Sequence, residues 1–405
     1  MDRTLEPSRP EDEGLSSEGL ARIDAAIQGY IDEGRLAGAV TLVARHGRRV
    51  HRSVMGLDDI ASRKPLALDT IFRIFSMTKP VTGVAMMILH DRGLWKPEDP
   101  IAKFLPELEG AKVLIGLDAD GAPTVADAHH APTMSELMTH TAGFSYGTDP
   151  QSAIDRLYGA AQVNQSGNLR ELVQRIATVP LAYQPGTEWL YSLSVDIQGA
   201  IIERLTGMTL PEFFDEQIFA PLGMTDTAFF TPPEKVARRA TLYSSGEGAP
   251  LTVLDNPLLP DFDAVPSMAS GGAGLLSTIG DYARFAQMLL NGGEFDGARV
   301  VSAEGLKLQM ANHVSDDILN GGFGVGNQRI RPGFGFGFDG AVFTDPLLAG
   351  VPVGVGTYQW DGAAGTWFWV DPENDLLFVG LVQLLSAAAP PFQLRTQQLM
   401  ADAIS

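Results

Sequence analysis

The sequence contains no cysteine, an absence that removes thiol nucleophiles, thiolate metal sites and disulfide staples together. Basic residues are also scarce. Lysine and arginine total 29 against 49 aspartates and glutamates, for a formal net charge of −20. An acidic surface repels phosphate backbones and anionic membranes, so nucleic acid and lipid surfaces are poor partners. No run approaches the roughly 18 uninterrupted apolar residues of a membrane span. The start, Met1-Asp2-Arg3-Thr4-Leu5-Glu6, is charged and lacks the apolar core of a signal peptide. These absences point to a soluble, cytoplasmic protein whose substrates are neutral near the reacting bond.

What is present is an ordinary globular balance, 45% apolar and 19% charged over 405 residues, enough to bury a large core without a staple. No repeat or low-complexity linker interrupts it, so residues 1–405 read as one catalytic unit. Ser17 followed by Leu20, Ile23, Ile27 and Ile31 gives a capped helix. Val40 to Ala44 and Val50 to Val54 are β-prone runs joined at His46-Gly47, which predicts a hairpin. Near the other end, Val351 to Tyr358, Trp367 to Val370 and Leu376 to Val382 predict three strands. Asp371 to Asp375 turns between the last two, and Phe392 to Ile404 predicts a closing helix. Helical patterns fill the middle: Ser76 to Asp91, Thr133 to Thr139, Leu169 to Ala177, Ser194 to Leu205 and Thr278 to Leu290. Thr278 with Asp281 has capping-box spacing, and Gly207 stands where a helix would end. The fold class is therefore α/β in the α+β sense. One sheet is built from approximately 1–75 and 300–405, and a mainly helical region, approximately 76–299, is inserted.

Ser76-Met77-Thr78-Lys79 is the only S-x-x-K in the chain. Residues i and i+3 share a helix face, so the amine reaches the hydroxyl. A nucleophilic serine needs an adjacent base, and Ser-Lys pairs serve where Ser-His-Asp is absent. A chain this long matches that pattern by chance on the order of once, so context decides. Tyr191 stands at the entrance of a predicted helix, where a phenol can share a proton with a nearby lysine; alone it reads as a core or capping tyrosine. Trp360-Asp361-Gly362-Ala363 ends a predicted strand, where glycine lets backbone approach a ligand and an N–H point into a site. Taken singly, that too is only a strand end.

Together, Ser76-x-x-Lys79, Tyr191-Ser192 and Trp360-x-Gly362, in this order, resemble the motifs of class C β-lactamases. They are still more similar to those of the family VIII carboxylesterases that share that fold. Leu137 to Gly143, Pro221 to Thr227 and Gly333 to Gly337 support the resemblance, which runs over roughly residues 15 to 400. It implies a serine β-lactamase/transpeptidase-like fold: an antiparallel sheet flanked by helices, an inserted helical domain and a site at their junction. It also implies Ser76 as nucleophile, Lys79 and Tyr191 as the acid–base pair, and backbone N–H groups of Ser76 and Ala363 as oxyanion hole. Trp360, Asp361, Gly362 and Leu193 then bind substrate. Two departures bear on specificity. Leu193 replaces the asparagine of the β-lactamase tyrosine motif, and Trp360-Asp361-Gly362 replaces Lys-Thr-Gly. Loss of such a charge-assisted contact removes roughly 1.5–3 kcal/mol. Trp360 offers an apolar wall, and Asp361 repels an anion.

Other motifs compete. Gly143-Phe144-Ser145-Tyr146-Gly147 matches a nucleophile elbow, but a strand should precede and a helix follow, and only His313 lies downstream for a triad. Asp118-Ala119-Asp120-Gly121 lacks the remaining calcium ligands, and a solvent-facing hairpin explains it and His129-His130 better. Gly271-Gly272-Ala273-Gly274 fits no phosphate loop and reads as close-packed backbone near the site. The expected activity is hydrolysis of short, neutral carboxylic esters through an acyl-enzyme on Ser76, with no metal or cofactor and a small-molecule ester as partner. β-Lactamase or D-amino-acid peptidase activity is the alternative. A non-catalytic protein that binds peptidoglycan or acyl ligands is the alternative of another class. Oligomeric state does not follow from the chain.

Overall fold

Strand Leu376–Leu381 contains no polar side chain because neither of its faces meets water. In the computed structural model, which describes residues 5–254, 262–321, 323–325, 328–330 and 332–404, it lies inside an eight-stranded sheet. The charged start, Met1 to Thr4, lies outside the described residues. The strands are β1 (Gly38–Arg45), β2 (Arg48–Asp59), β3 (Lys64–Pro65), β4 (Phe334–Phe336), β5 (Ala341–Phe343), β6 (Tyr358–Asp361), β7 (Trp367–Asp371) and β8 (Leu376–Leu381). Their spatial order is β4-β5-β6-β7-β8-β1-β2-β3, and every neighbouring pair is antiparallel. The hairpin at His46-Gly47 is present, and β1 then pairs with β8, Val40 opposite Leu381.

Side chains alternate across the sheet, as a two-residue period requires. Trp367, Trp369, Leu376 and Phe378 join a core with Leu20, Ile23, Ile27, Leu399 and Met400. Those residues belong to helices at the two chain ends, here α1 (Ser17–Asp32) and, last in the chain, Phe392–Ala401. Phe368, Val370, Leu377 and Val379 face the other way into a larger core with Tyr282 and Phe285. That core also takes in the helices made between the two parts of the sheet: α2 (Thr78–Asp91), α3 (Met134–Met138), α4 (Ala153–Ala160), α5 (Leu169–Ile176), α6 (Ser194–Thr206) and α7 (Ile279–Leu290). The Phe392–Ala401 helix is α8. Among the described residues no helix is long and apolar enough to cross a membrane.

Two local expectations change. Residues 351–357 form no strand, because two of their amides go to acids at and just past the end of β7: Gly354 N donates to the Asp371 carboxylate at 2.8 Å and Val355 N to Glu373 at 2.5 Å. Strand β6 begins only at Tyr358. Thr278 caps α7 by accepting from Asp281 N. The Asp281 carboxylate instead accepts from Asp226 N and Thr227 Oγ1, so the reciprocal half of the box serves a neighbouring loop.

Candidate active site

Ser76 occupies a single 3-10 turn, Phe75–Met77, that runs straight into α2. The expected helix thus starts at Thr78 rather than at the serine. The cause is Phe75, whose φ of 43° is left-handed, a sparsely populated backbone for an aromatic residue that persists only when its surroundings enforce it. Here they do. Ile74 N donates to Leu275 O at 3.1 Å, Leu275 N to Thr78 Oγ1 at 3.1 Å and the Tyr282 hydroxyl to Met77 O at 2.9 Å.

One turn on, Lys79 is 0% exposed. Its Nζ lies 3.3 Å from Ser76 Oγ and donates to Gly272 O and to the Tyr146 hydroxyl, both at 2.8 Å. The Gly271–Gly274 segment is thus packed against the site, as expected. The tyrosine bonded to the lysine is not the expected one. Tyr191 instead lays its ring near the amine, 4.5 Å from Nζ to the ring centre, and its hydroxyl accepts from Trp360 Nε1 at 3.3 Å. A hydrogen bond links it to Tyr146, the two ring centres being 5.1 Å apart. Burial, then the charges of Tyr191 and Asp196, push the Tyr146 phenol well above the usual tyrosine range, so Tyr146 keeps its proton.

The Tyr191 ring sits among His140, Trp189, Tyr146 and Trp360, with centres 5.0 to 6.0 Å away. His140 is buried, and burial followed by the Lys79 charge holds it well below the usual histidine range. A neutral imidazole results, its Nδ1 3.0 Å from Ser192 Oγ. His140 and Tyr146 are the site residues that sequence reasoning missed. The signal lies in Leu137 to Gly143 and in the elbow-like motif, where His140 reads as part of a family resemblance and Tyr146 as a neighbour of Ser145.

Trp360 is 1% exposed and stands behind Tyr191, outside the cavity lining. It is a hydrogen-bond donor to the phenol rather than a wall. Leu193 is likewise buried in the helical core, and its amide donates to Ser145 O at 3.2 Å. Asp361, Gly362 and Ala363 do line a cavity of about 470 Å³ together with Ser76 and Tyr191. Apolar Phe334, Phe343, Phe392 and Leu394 share the rest of the lining with Gln359, Gln393 and Gln397. Glycine is required at 362, where an added Cβ would collide with Ile74 O. Gly362 N donates to Thr366 O at 2.7 Å and Gly365 N to Gly362 O at 2.8 Å. This tight turn seats Ala363 in the same cavity lining as Ser76. Among the described residues of the lining there is no lysine or arginine.

The rival motifs fall elsewhere. Ser145 is buried and donates to the Asp155 carboxylate, while His313 donates to Leu308 O at 2.7 Å and stacks on Phe338. Asp118 closes a hairpin, Lys112–Leu117 with Pro123–Asp127, by accepting from Asp120 N and Ala122 N.

Residues 23–401 match the beta-lactamase family. The chain belongs to that family. Within it, the chain is 37% identical over 369 residues to the Mycobacterium tuberculosis protein Rv1367c, covering 89% of this chain and 88% of that one. It is 33% identical to the esterase EstB of Burkholderia gladioli, covering 87% of each. Among solved structures it resembles EstCE1, a hydrolase with promiscuous acyltransferase activity. The TM-score is 0.79 with 27% identity, over 95% of this chain and 99% of that one. The antiparallel sheet with its helices is accordingly the β-lactamase/transpeptidase-like fold, and the likeness to EstB and EstCE1 is consistent with a family VIII carboxylesterase.

Proposed function

We propose that the protein hydrolyses short, neutral carboxylic esters through an acyl-enzyme on Ser76, with Lys79 as base and Tyr191 as acid. Its standing as a serine carboxylesterase rests on the likeness to EstB and EstCE1. The finer reading rests on the contacts of one nitrogen. Gly272 O can only accept, and Tyr146, which keeps its own proton, accepts from Lys79 and donates to Tyr191. With two of its positions spent on Gly272 O and the Tyr146 hydroxyl, the Lys79 nitrogen turns its remaining one to Ser76 Oγ, 3.3 Å away, which is where a base must stand to take that proton.

Ser76 Oγ then attacks the ester carbonyl as its proton passes to Lys79 Nζ. The oxyanion is held by the N–H groups of Ser76 and Ala363, one such donor typically being worth about 10²–10³ in rate. On collapse the departing alkoxide takes the Tyr191 proton, and Tyr191 is refilled from Lys79 through Tyr146. Water repeats the sequence on the acyl-enzyme, returning Ser76 and releasing the acid. Trp360 and Tyr146 both donate to the Tyr191 oxygen, which directs its own O–H to the cavity. Tyr191→Phe should lower kcat by about 10² with the fold intact, the loss expected for a positioned proton donor; a change under threefold in stopped-time hydrolysis assays would remove Tyr191 from the reaction.

Substrate charge provides the test of the whole reading. The described residues of the cavity lining include no lysine or arginine, so a substrate carboxylate gains little there. kcat/KM for p-nitrophenyl butyrate should exceed that for nitrocefin by at least about 10², the size of one or two lost charge-assisted contacts. Equal values for the two substrates would replace the esterase reading with a β-lactamase.

A further inference from the structure

The Gly143-Phe144-Ser145-Tyr146-Gly147 motif is no nucleophile elbow, yet every part of it is engaged. We infer that Asp155 is a positioning residue for the reaction, clamping through Ser145 and the following amides the loop that sets the Tyr146 hydroxyl against Lys79. This rests on the reading of Lys79 and Tyr146 given above.

Asp155 is the third residue of α4 and is 8% exposed. One carboxylate oxygen accepts from Ser145 Oγ. The other accepts from Thr148 N at 2.9 Å and Asp149 N at 2.8 Å. Three donors therefore converge on one buried carboxylate, from residues that bracket Tyr146 on both sides. One turn along the same helix face, the Tyr158 hydroxyl accepts from Ser145 N at 3.1 Å. Gly147, at φ 71°, lets the loop lie flat on α4, since a Cβ there would come 2.7 Å from Tyr158 Cβ. Asn164 Nδ2 donates to Tyr146 O at 3.0 Å, so both peptide groups around the tyrosine are tied down.

The clamp reaches the second tyrosine too. Ser145 O accepts from Leu193 N, two residues beyond Tyr191. The serine thus joins the loop of one phenol to the turn of the other, and Asp155 holds the serine. Asp155 is outside the cavity lining and has no hydrogen bond with Ser76 or Lys79, so any effect on catalysis passes through the tyrosines. An amide at 155 keeps the shape but offers one acceptor oxygen where two are used. It sets an N–H₂ against donors, which loosens the loop without opening a hole.

A double-mutant cycle reads this directly, with p-nitrophenyl butyrate as probe. Tyr146→Phe should lower kcat by about 10². Asp155→Asn should lower kcat by about 10- to 100-fold with KM within about twofold, the range that a misplacement near 1 Å produces. In the Tyr146→Phe background the same Asp155→Asn change should cost clearly less than in the wild-type background, at most about threefold, because the hydroxyl it chiefly positions is already gone and only the link to Tyr191 through Leu193 remains. Multiplicative losses would overturn the clamp and leave Asp155 as a general support of the fold. An unchanged kcat in Tyr146→Phe alone would instead overturn the Lys79–Tyr146 reading, so the two failures are distinct. If Asp155→Asn does not fold, Ser145→Ala takes its place in the cycle. It removes one donor to the carboxylate, and the same non-additivity is expected of its smaller loss.

Discussion

Ser76→Ala is expected to lower kcat for p-nitrophenyl butyrate by about 10⁴-fold or more, the scale on which a nucleophile works together with its base. The loss is this large because no other hydroxyl in the cavity is backed by an amine. Ser386 also lines the cavity, but it accepts from Ala388 N and donates to Ser245 O at 2.8 Å. Ser145 is spent on Asp155. A fluorophosphonate should label the wild-type chain once, on Ser76, and should label Ser145→Ala at the same residue. Mass spectrometry placing the adduct on Ser145 or Ser386 would move the nucleophile, and an unlabelled wild-type chain would favour a binding protein over an enzyme.

Lys79→Met is expected to cost about 10³–10⁴ in kcat, the upper range for a positioned proton carrier that also activates the nucleophile. Methionine nearly fills the lysine's volume but brings neither lone pair nor donor. Ser76 then has nowhere to send its proton, and the refilling of Tyr191 through Tyr146 is cut at its source. Labelling of Ser76 by fluorophosphonate should slow in parallel, because that reaction needs the same deprotonation. Two buried acceptors, Gly272 O and the Tyr146 oxygen, also lose their donor, and each such loss typically destabilises by about 1–3 kcal/mol. The melting temperature should therefore fall, and near-ultraviolet circular dichroism at the assay temperature separates chemistry from unfolding. Rapid phosphonate labelling in a folded Lys79→Met protein would transfer the role of base to a tyrosine.

The parts of the site legible in the sequence are those that local geometry produces. Ser76 and Lys79 meet because they stand three residues apart at the head of one helix. Gly362 and Ala363 were legible only through the family resemblance, because a strand end with a glycine is by itself no more than a strand end. The hairpin at His46-Gly47 and the buried runs of β7 and β8 followed from turn residues and apolar content. What escaped depends on segments far apart in the chain. Tyr146 meets Lys79 only after the loop before α4 has folded onto Tyr158, and nothing in the spacing of residues 79 and 146 announces it. Trp360 reads as apolar bulk, yet its contribution is a single indole N–H given to Tyr191. The strand expected from Val351 failed for a similar reason: its amides are claimed by Asp371 and Glu373, acids placed there by a different turn.

The pairing of β1 with β8 also sets when the protein becomes able to react. β1 is among the first segments synthesised and β8 among the last, yet Val40 and Leu381 lie side by side. Until β8 leaves the ribosome, β1 has only β2 for company, and its other edge is an open ladder of N–H and C=O groups. Trp360 and Ala363, in and just after β6, are also made late, only a short stretch ahead of β8. A nascent chain thus displays Ser76 and Lys79 well before it owns the indole bonded to Tyr191 or the Ala363 N–H proposed for the oxyanion hole. The proposed nucleophile is made early and armed late, in the step that closes the sheet.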